Sequence, residues 1–356
     1  MATSPTRDQQ PRIGTLLGCS IDGGSLRFTK LLGVGIHGEV YRALDQRTNK
    51  LYAVKVLSRT PTPIPSRQQP EADAVDGRSL SHEVALYSRL PAHENIIRLE
   101  RMLHSPNQVF LVMEYCVGDN IYEAVSNSAH FLLPANYELV RRLFLQLVLA
   151  VEHCHSHGVF HRDIKPENVL VTQDRLHVKL IDFGMSTDQQ LSAQIYCGSP
   201  HYMSPECHGG INGEVKRYAP APNDVWSLGI VLLNLVVGRS PWSCARGDDP
   251  HFMRYYAGQT MLFQNIHATQ KFEHIIRRAL DVNPSTRCTV AELRQLVENC
   301  PQFINPAGGP LHKNDMATSP LPSAQNTSNV AAGKGHGAAE MSVSSARPNF
   351  EPQPVV

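Results

Sequence analysis

The sequence has no C-x-x-C pair, no strong charge imbalance and no apolar run of membrane-spanning length, and each absence removes a class of function. Its eight cysteines (Cys19, Cys116, Cys154, Cys197, Cys207, Cys244, Cys288, Cys300) are scattered. That fits reduced thiols in a cytoplasmic or nuclear protein better than a disulfide framework. The formal net charge is +1, so there is no electrostatic case for a nucleic-acid or membrane partner. The longest apolar run, Leu228–Val237, is interrupted by Asn234 and falls short of the ~20 residues a spanning helix needs. It predicts a buried helix. Met1–Arg12 is polar and contains proline, with no apolar h-region, so no secretory signal is expected. Asn326-Thr327-Ser328 matches a glycosylation acceptor but reads as a chance match in a reducing compartment. No internal repeat emerges; Ala-Thr-Ser-Pro recurs, but only in the two tails.

At 356 residues the chain can bury a large core. Composition divides it into an N-terminal extension (1–24), an ordered region (25–300) and a tail (301–356). The tail is rich in Pro, Ser, Ala, Gly and Asn and has little apolar content to offset ordering entropy, so it is expected to be disordered. The same holds for a Pro-rich insert at about 58–79, which contains Thr60-Pro61-Thr62-Pro63-Ile64-Pro65. Within the ordered region, 25–114 holds short β-branched or apolar runs (Phe28–Leu32, Leu51–Leu57, Val109–Met113) and one helical segment near Leu80–Leu90. Residues 115–300 are helical in pattern: Pro134–His157, Asn223–Val237, His274–Leu280 and Val290–Val297. The fold class is α+β, a small β-rich lobe with one key helix joined to a larger α-helical lobe.

Gly33-Val34-Gly35-Ile36-His37-Gly38-Glu39-Val40 reads G-x-G-x-x-G-x-V. Glycines let backbone N–H groups lie against phosphate oxygens. Dinucleotide-binding folds share the first six positions, but they require a helix after the last glycine and an acidic residue ~20 positions on. Here that region is Ala53-Val54-Lys55-Val56-Leu57, a strand bearing a lysine and no acid. A phosphate-pairing lysine on a strand belongs to phosphoryl transfer. Lys55 lies in an apolar strand, where an unpaired ammonium is costly, and Glu83, on the helical segment near Leu80–Leu90, is the expected anionic partner.

His161-Arg162-Asp163-Ile164-Lys165-Pro166-Glu167-Asn168, followed by Asp182-Phe183-Gly184, groups an aspartate, a lysine and an asparagine in one loop with a second aspartate soon after. On these motifs the chain resembles the eukaryotic protein kinase family over roughly residues 25–300; Ile164 in place of Leu is the loop's one departure. The resemblance implies the bilobal protein-kinase fold, ATP and Mg²⁺ as cofactors, and protein substrates. It implies Asp163 as catalytic base, Lys165 as neutraliser of the γ-phosphate, and Asn168 and Asp182 as metal ligands. Lys165 matches the serine/threonine type. Leu32, Gly33, Val34, Gly35 and Gly38 would cover the nucleotide, and Val40, Ala53 and Leu170 would sandwich its adenine ring. Met113 would be the gatekeeper, and Glu114 and Cys116 the hinge. Asp119 would reach the ribose, with Asn120 as the alternative. Leu99, Tyr87, His161 and Phe183 are positioned like the side chains that stack between the lobes, Glu206 and Arg287 like an ion pair, and Asp224 like a support for the catalytic-loop backbone.

Cys197–Cys207 and Leu233–Trp242 resemble fungal serine/threonine kinases that regulate nutrient response, growth and meiotic entry. One departure carries mechanism. Where many relatives have a phosphorylatable Thr, this chain has Ile195, so the partner that Arg162 takes in those relatives is missing. Activation is therefore expected not to need phosphate there; Ser192 or Tyr196 could substitute, or packing could order the loop. Ser199 is expected to contact Asp163 and the substrate hydroxyl. A non-catalytic scaffold would have lost Lys55, Asp163 or Asp182, and a small-molecule kinase would lack the Gly198–Glu206 segment. Glu167 favours basic residues in a substrate, a preference that Asn234 weakens. A zinc site on His153 and His157 lacks further ligands. A monomer is expected.

Overall fold

Side-chain alternation builds the first lobe. Leu26 and Phe28 turn inward from β2 (Leu26–Gly35), and Tyr41, Ala43 and Asp45 from β3 (Gly38–Asp45), with less buried residues between them. β4 (Leu51–Ser58) and β6 (Gln108–Glu114) carry near-continuous buried runs. With β1 (Ser20–Ile21) and β5 (Leu99–His104) they form one antiparallel sheet in the order β1-β2-β3-β4-β6-β5. The computed structural model describes residues 16–35, 38–58, 84–126, 137–258, 261–263 and 267–305. Glu83, nearly all of the Pro-rich insert and residues 306–356 lie outside the described residues.

Both domain edges run past the boundaries read from the sequence. β1 falls inside the expected extension, and Gly18 N–H and Phe28 N–H extend its pairing to the Phe28 and Cys19 carbonyls at 3.0 Å each. Two residues are too few to show a period. At the other end Phe303 is 1% exposed, and Ala268 bridges Ile304, so the first residues of the expected tail belong to the core.

A short helix α1 (residues 84–89) places Leu86 and Tyr87 in the core. The segment after it leads back to the second lobe: Ile97 N–H donates to the Leu180 carbonyl (2.9 Å) and Leu180 N–H to that of Asn95 (2.8 Å). The second lobe holds α2 (Ile121–Ser126), α3 (Tyr137–Ser156), the hairpin β7 (Val169–Val171) and β8 (Val178–Leu180), then α4 (Pro220–Val237), α5 (Pro250–Tyr256), α6 (Gln270–Ala279) and α7 (Val290–Glu298). α3 is amphipathic, burying Val140, Phe144, Leu147, Val151 and Cys154 along one face. Thr289 and Glu292 form a reciprocal capping box that starts α7.

α4 starts three residues before the expected Asn223, on Pro220, whose missing N–H costs nothing in a first turn. Its 18 residues have a mean hydropathy of 1.2, enough by length and composition to cross a membrane, yet 83% of that window is buried inside the protein. It is the core helix of the lobe. Trp226 on α4 packs against Trp242 and Phe252 at ring-centroid distances of 5.8 and 6.2 Å. Each such fully buried side chain contributes about 1.5–3 kcal/mol relative to exposure.

Candidate active site

The β2–β3 turn closes with Gly35 paired to Gly38; Ile36 and His37 lie outside the described residues. Its glycines serve two purposes. Gly38 has φ +128°, and a Cβ there would sit 2.1 Å from the Val56 carbonyl oxygen, so the fold itself requires glycine. A Cβ on Gly33 would meet nothing within 4 Å among the described residues. Glycine there keeps an open face for close approach of a ligand. Leu32 and Val34 flank it, exposed despite being apolar. Strand register sets Val40 opposite Lys55, Lys55 opposite Leu111 and Ala53 opposite Met113, so Val40, Lys55, Ala53 and Met113 share one face.

The connection between the lobes is pinned by Glu114, whose Oε1 accepts from Lys179 Nζ and Arg98 N–H, each at 2.8 Å. Cys116 follows, its thiol pKa raised by burial. The Asp119 carbonyl accepts from Val171 N–H (2.8 Å), and Asn120 bridges Leu170, which brings β7 beneath the connection. Asn120 Oδ1 accepts from Glu123 N–H at 2.8 Å at the start of α2. Asp119 is exposed at the edge of the connection.

The catalytic loop is held from below by Asp224 on α4, which is 0% exposed. Its carboxylate accepts from the backbone N–H groups of His161 (2.8 Å) and Arg162 (2.7 Å) and bonds the His155 ring (2.9 Å). Arg162 is held at φ +66°, outside the usual range for a side-chain-bearing residue. Asp163 Oδ2 then takes Lys165 Nζ at 2.8 Å and Asn168 Nδ2 at 3.0 Å. Its Oδ1 is buried and has no hydrogen-bond partner among the described residues.

Lys165 Nζ also donates to Ser199 Oγ at 2.8 Å. Ser199 therefore reaches Asp163 through Lys165, and not by the direct contact expected from the sequence. Lys55 Nζ lies 2.8 Å from Asp182 Oδ1, joining the two lobes across the cleft; the expected partner Glu83 lies outside the described residues. Phe183 packs between the rings of Tyr87 (4.9 Å) and His161 (5.0 Å), and Leu99 packs against the same core.

Below the cleft, Arg287 and Glu206 form a buried two-pronged ion pair at 2.6 and 3.0 Å. The guanidinium lies over the Trp226 ring at 5.0 Å. Burial raises the thiol pKa of Cys197 and pushes that of Cys207 up to about 12. A shift in this direction is the opposite of the lowered thiol pKa that activates a nucleophilic cysteine. The His153 and His157 rings lie 4.4 Å apart, tilted to one another, but His153 Nε2 bonds the Pro91 carbonyl and His157 Nδ1 that of His153. No group of three metal-binding His, Cys, Asp or Glu occurs among the described residues.

Gln194 went unremarked in the sequence: its Oε1 accepts from Arg162 Nη1 at 2.8 Å. An uncharged residue in a polar stretch carries no periodicity or charge signal that could have marked it.

A glycine turn over an open face, a strand lysine paired across a cleft and an aspartate with one oxygen unpartnered among the described residues are arranged as in a two-lobed protein-kinase fold. The chain belongs to the protein kinase family: residues 26–297 match the protein kinase domain. It is 36% identical to the "Negative regulator of sexual conjugation and meiosis" of Schizosaccharomyces pombe, over 78% of this chain and 60% of that protein. It is 31% identical to the serine/threonine-protein kinase VHS1 of Saccharomyces cerevisiae, over 80% of this chain and 72% of that protein. It is 35% identical to CBL-interacting protein kinase 22 of rice, over 76% of this chain and 60% of that protein. The chain thus spans well under the full length of these relatives.

Proposed function

We propose that the protein is an active serine/threonine protein kinase that transfers the γ-phosphoryl group of Mg-ATP to protein hydroxyls in intracellular signalling. The observation that carries this reading is the division of labour on Asp163. Two donors occupy Oδ2, while the buried Oδ1 has no partner among the described residues. A buried carboxylate oxygen without a donor is costly unless one arrives with a ligand, and a substrate hydroxyl is such a donor. Asp163 orients that hydroxyl and takes its proton as the new phosphorus–oxygen bond forms and the bond from the γ-phosphorus to the β,γ-bridging oxygen breaks, with ADP leaving.

The remaining groups bind and orient. Lys55 grips phosphate oxygens from the sheet, and Gly33 permits their approach. Lys165, bridging Asp163 and Ser199, supplies positive charge beside the transferring group. Asn168 and Asp182 fit Mg²⁺ by donor chemistry. Asn168 spends its amide nitrogen on Asp163 Oδ2 and the Asp163 carbonyl, which leaves its amide oxygen for a hard cation. One carboxylate and one amide oxygen make a partial shell, the kind a magnesium ion shared with nucleotide phosphates takes. Bound there, the ion would neutralise charge that builds on the phosphates.

The name of the Schizosaccharomyces pombe relative supports a regulatory role in sexual conjugation and meiosis, and that of the Saccharomyces cerevisiae relative supports serine/threonine specificity. The absence of a disulfide among the cysteines of the described residues supports the cytoplasm or nucleus. The test is Mg-ATP-dependent labelling of a mixed Ser/Thr peptide library by wild type and Asp163→Asn. Loss of the positioned base should lower the rate on the order of 10²–10⁴-fold, with nucleotide affinity retained. Equal rates would refute the role of Asp163.

A further inference from the structure

The segment from Gly184 to Glu206 bears Ser199 and so governs the Lys165–Asp163 contact, yet it carries no anion at its anchor. Arg162 is 6% exposed and pairs with no carboxylate among the described residues. Two of its three nitrogens donate to neutral groups: Nε to the Met185 carbonyl (2.5 Å), and Nη1 to Gln194 Oε1 (2.8 Å) and Ser192 Oγ (3.3 Å). The same stretch is fastened by backbone. Ser192 and Tyr218 exchange N–H···O bonds at 2.8 and 2.9 Å, Tyr196 N–H donates to the Cys207 carbonyl at 2.8 Å, and Thr187 pairs with Phe160. Ile195 packs on the buried cluster of Met203, Cys207 and Tyr218. Ser192 is 0% exposed, so a phosphoryl group there would not fit without opening the segment.

We propose that Gln194 is a positioning residue. Its side-chain amide occupies the Arg162 guanidinium and holds the segment over the catalytic loop, so the catalytic arrangement is assembled without a phosphoryl group on the segment. Gln194 touches no reacting atom; it acts through Arg162, the neighbour of Asp163, and through the placing of Ser199. A neutral acceptor is enough because the apolar seat of Ile195 and five backbone bonds supply the rest of the ordering.

This inference rests on the kinase reading, and the experiment separates the two. The full chain, treated with phosphatase and shown by intact mass to carry no phosphate, is compared with Gln194→Ala, Gln194→Glu and Gln194→Lys. Each is measured for kcat and KM on the peptide library and for amide hydrogen exchange across residues 186–199. The unphosphorylated wild type should be active. Gln194→Ala should lose about tenfold in kcat, the scale of one hydrogen bond to a charged group, with KM for ATP unchanged and faster exchange in the segment. Gln194→Glu should restore both, because its carboxylate accepts the same bond, and Gln194→Lys should not.

Two results overturn the proposal: Gln194→Ala matching wild type in both kcat and exchange, or a wild type that is silent until phosphorylated on the segment. If Mg-ATP binds but no form of the protein transfers phosphate, the kinase reading falls alone. The exchange data then still decide Gln194, supporting it if Ala loosens the segment and Glu re-tightens it, and sinking it if the variants match.

Discussion

Gly198 sits where no side chain fits. Its φ is +115°, and a Cβ would lie 2.4 Å from the Arg162 carbonyl oxygen and 3.7 Å from Asp163 Oδ1. The contact is backbone on backbone, so no flexible side chain can yield, and Gly198→Ala must push the segment away from the catalytic loop. Ser199 moves with it and releases Lys165. Misplacement of about 1 Å costs on the order of 10²-fold in rate. Gly198→Ala should therefore lower kcat by that order and leave the dissociation constant for Mg-ATP within about twofold, because Lys55 and the β2–β3 turn are remote from the change. Steady-state kinetics beside a nucleotide titration checks both, and an unchanged kcat would contradict the geometry. The sequence motifs named Asp163, Lys165, Asn168 and Asp182, because chemistry restricts those residue types. They did not reveal that Lys55 pairs with Asp182, that one Asp163 oxygen has no hydrogen-bond partner among the described residues, or that Ser199 contacts Lys165. Those facts depend on side-chain rotation and on chain segments far apart in sequence.

Among the elements, α4 does the most to hold the site in place, and it does so with polar groups that an apolar helix would not be expected to bury. Asp224 fixes two catalytic-loop amides, and Asn223 Oδ1 accepts from Ser204 N–H (3.0 Å) and its hydroxyl (2.9 Å). The apolar run at Leu228–Val237 made the helix legible, whereas its first turn, which carries the functional groups, lacked a periodic signal. Edges were lost for a related reason: β1 is two residues long, and Ile304 joins the fold by one isolated bridge.

The Glu206–Arg287 pair was legible because both residues lie in recurrent motifs, and its burial gives it energetic consequence. Glu206 is 6% exposed. Arg287→Met strands its carboxylate in the core, and breaking a buried pair in this way costs about 3–5 kcal/mol. Urea unfolding should show that loss. The double variant Glu206→Met/Arg287→Met should be more stable than the single one, since no charge is left buried. A single-variant loss below about 1 kcal/mol, the scale of a surface pair, would show that the pair is not desolvated in solution.

For the molecule as a whole, two buried or half-buried histidines make folding sensitive to acid. Burial is the main cause that lowers the His93 pKa, helped by His153, whose ring lies 4.8 Å away. Asn95 N–H donates to His93 Nδ1 at 3.1 Å, a bond the protonated ring cannot accept. Burial likewise lowers the His208 pKa, with the Arg246 charge acting in the same direction and the Pro200 carbonyl opposing it. Above the ordinary histidine value of about 6.5 both folded and unfolded chains hold these rings neutral, and they add no pH dependence. As pH falls below that value, the unfolded chain takes up protons that the folded one resists, so stability drops until the lowered folded values are passed. Carboxylates titrate too, but they are common to wild type and to a His93→Gln/His208→Gln variant, so the difference between the two isolates the rings. Urea midpoints measured from pH 7.5 to 5 should fall for wild type and fall less steeply for the double variant below about pH 6.5. Parallel curves would mean that both rings accept protons in the folded protein as readily as in the unfolded chain.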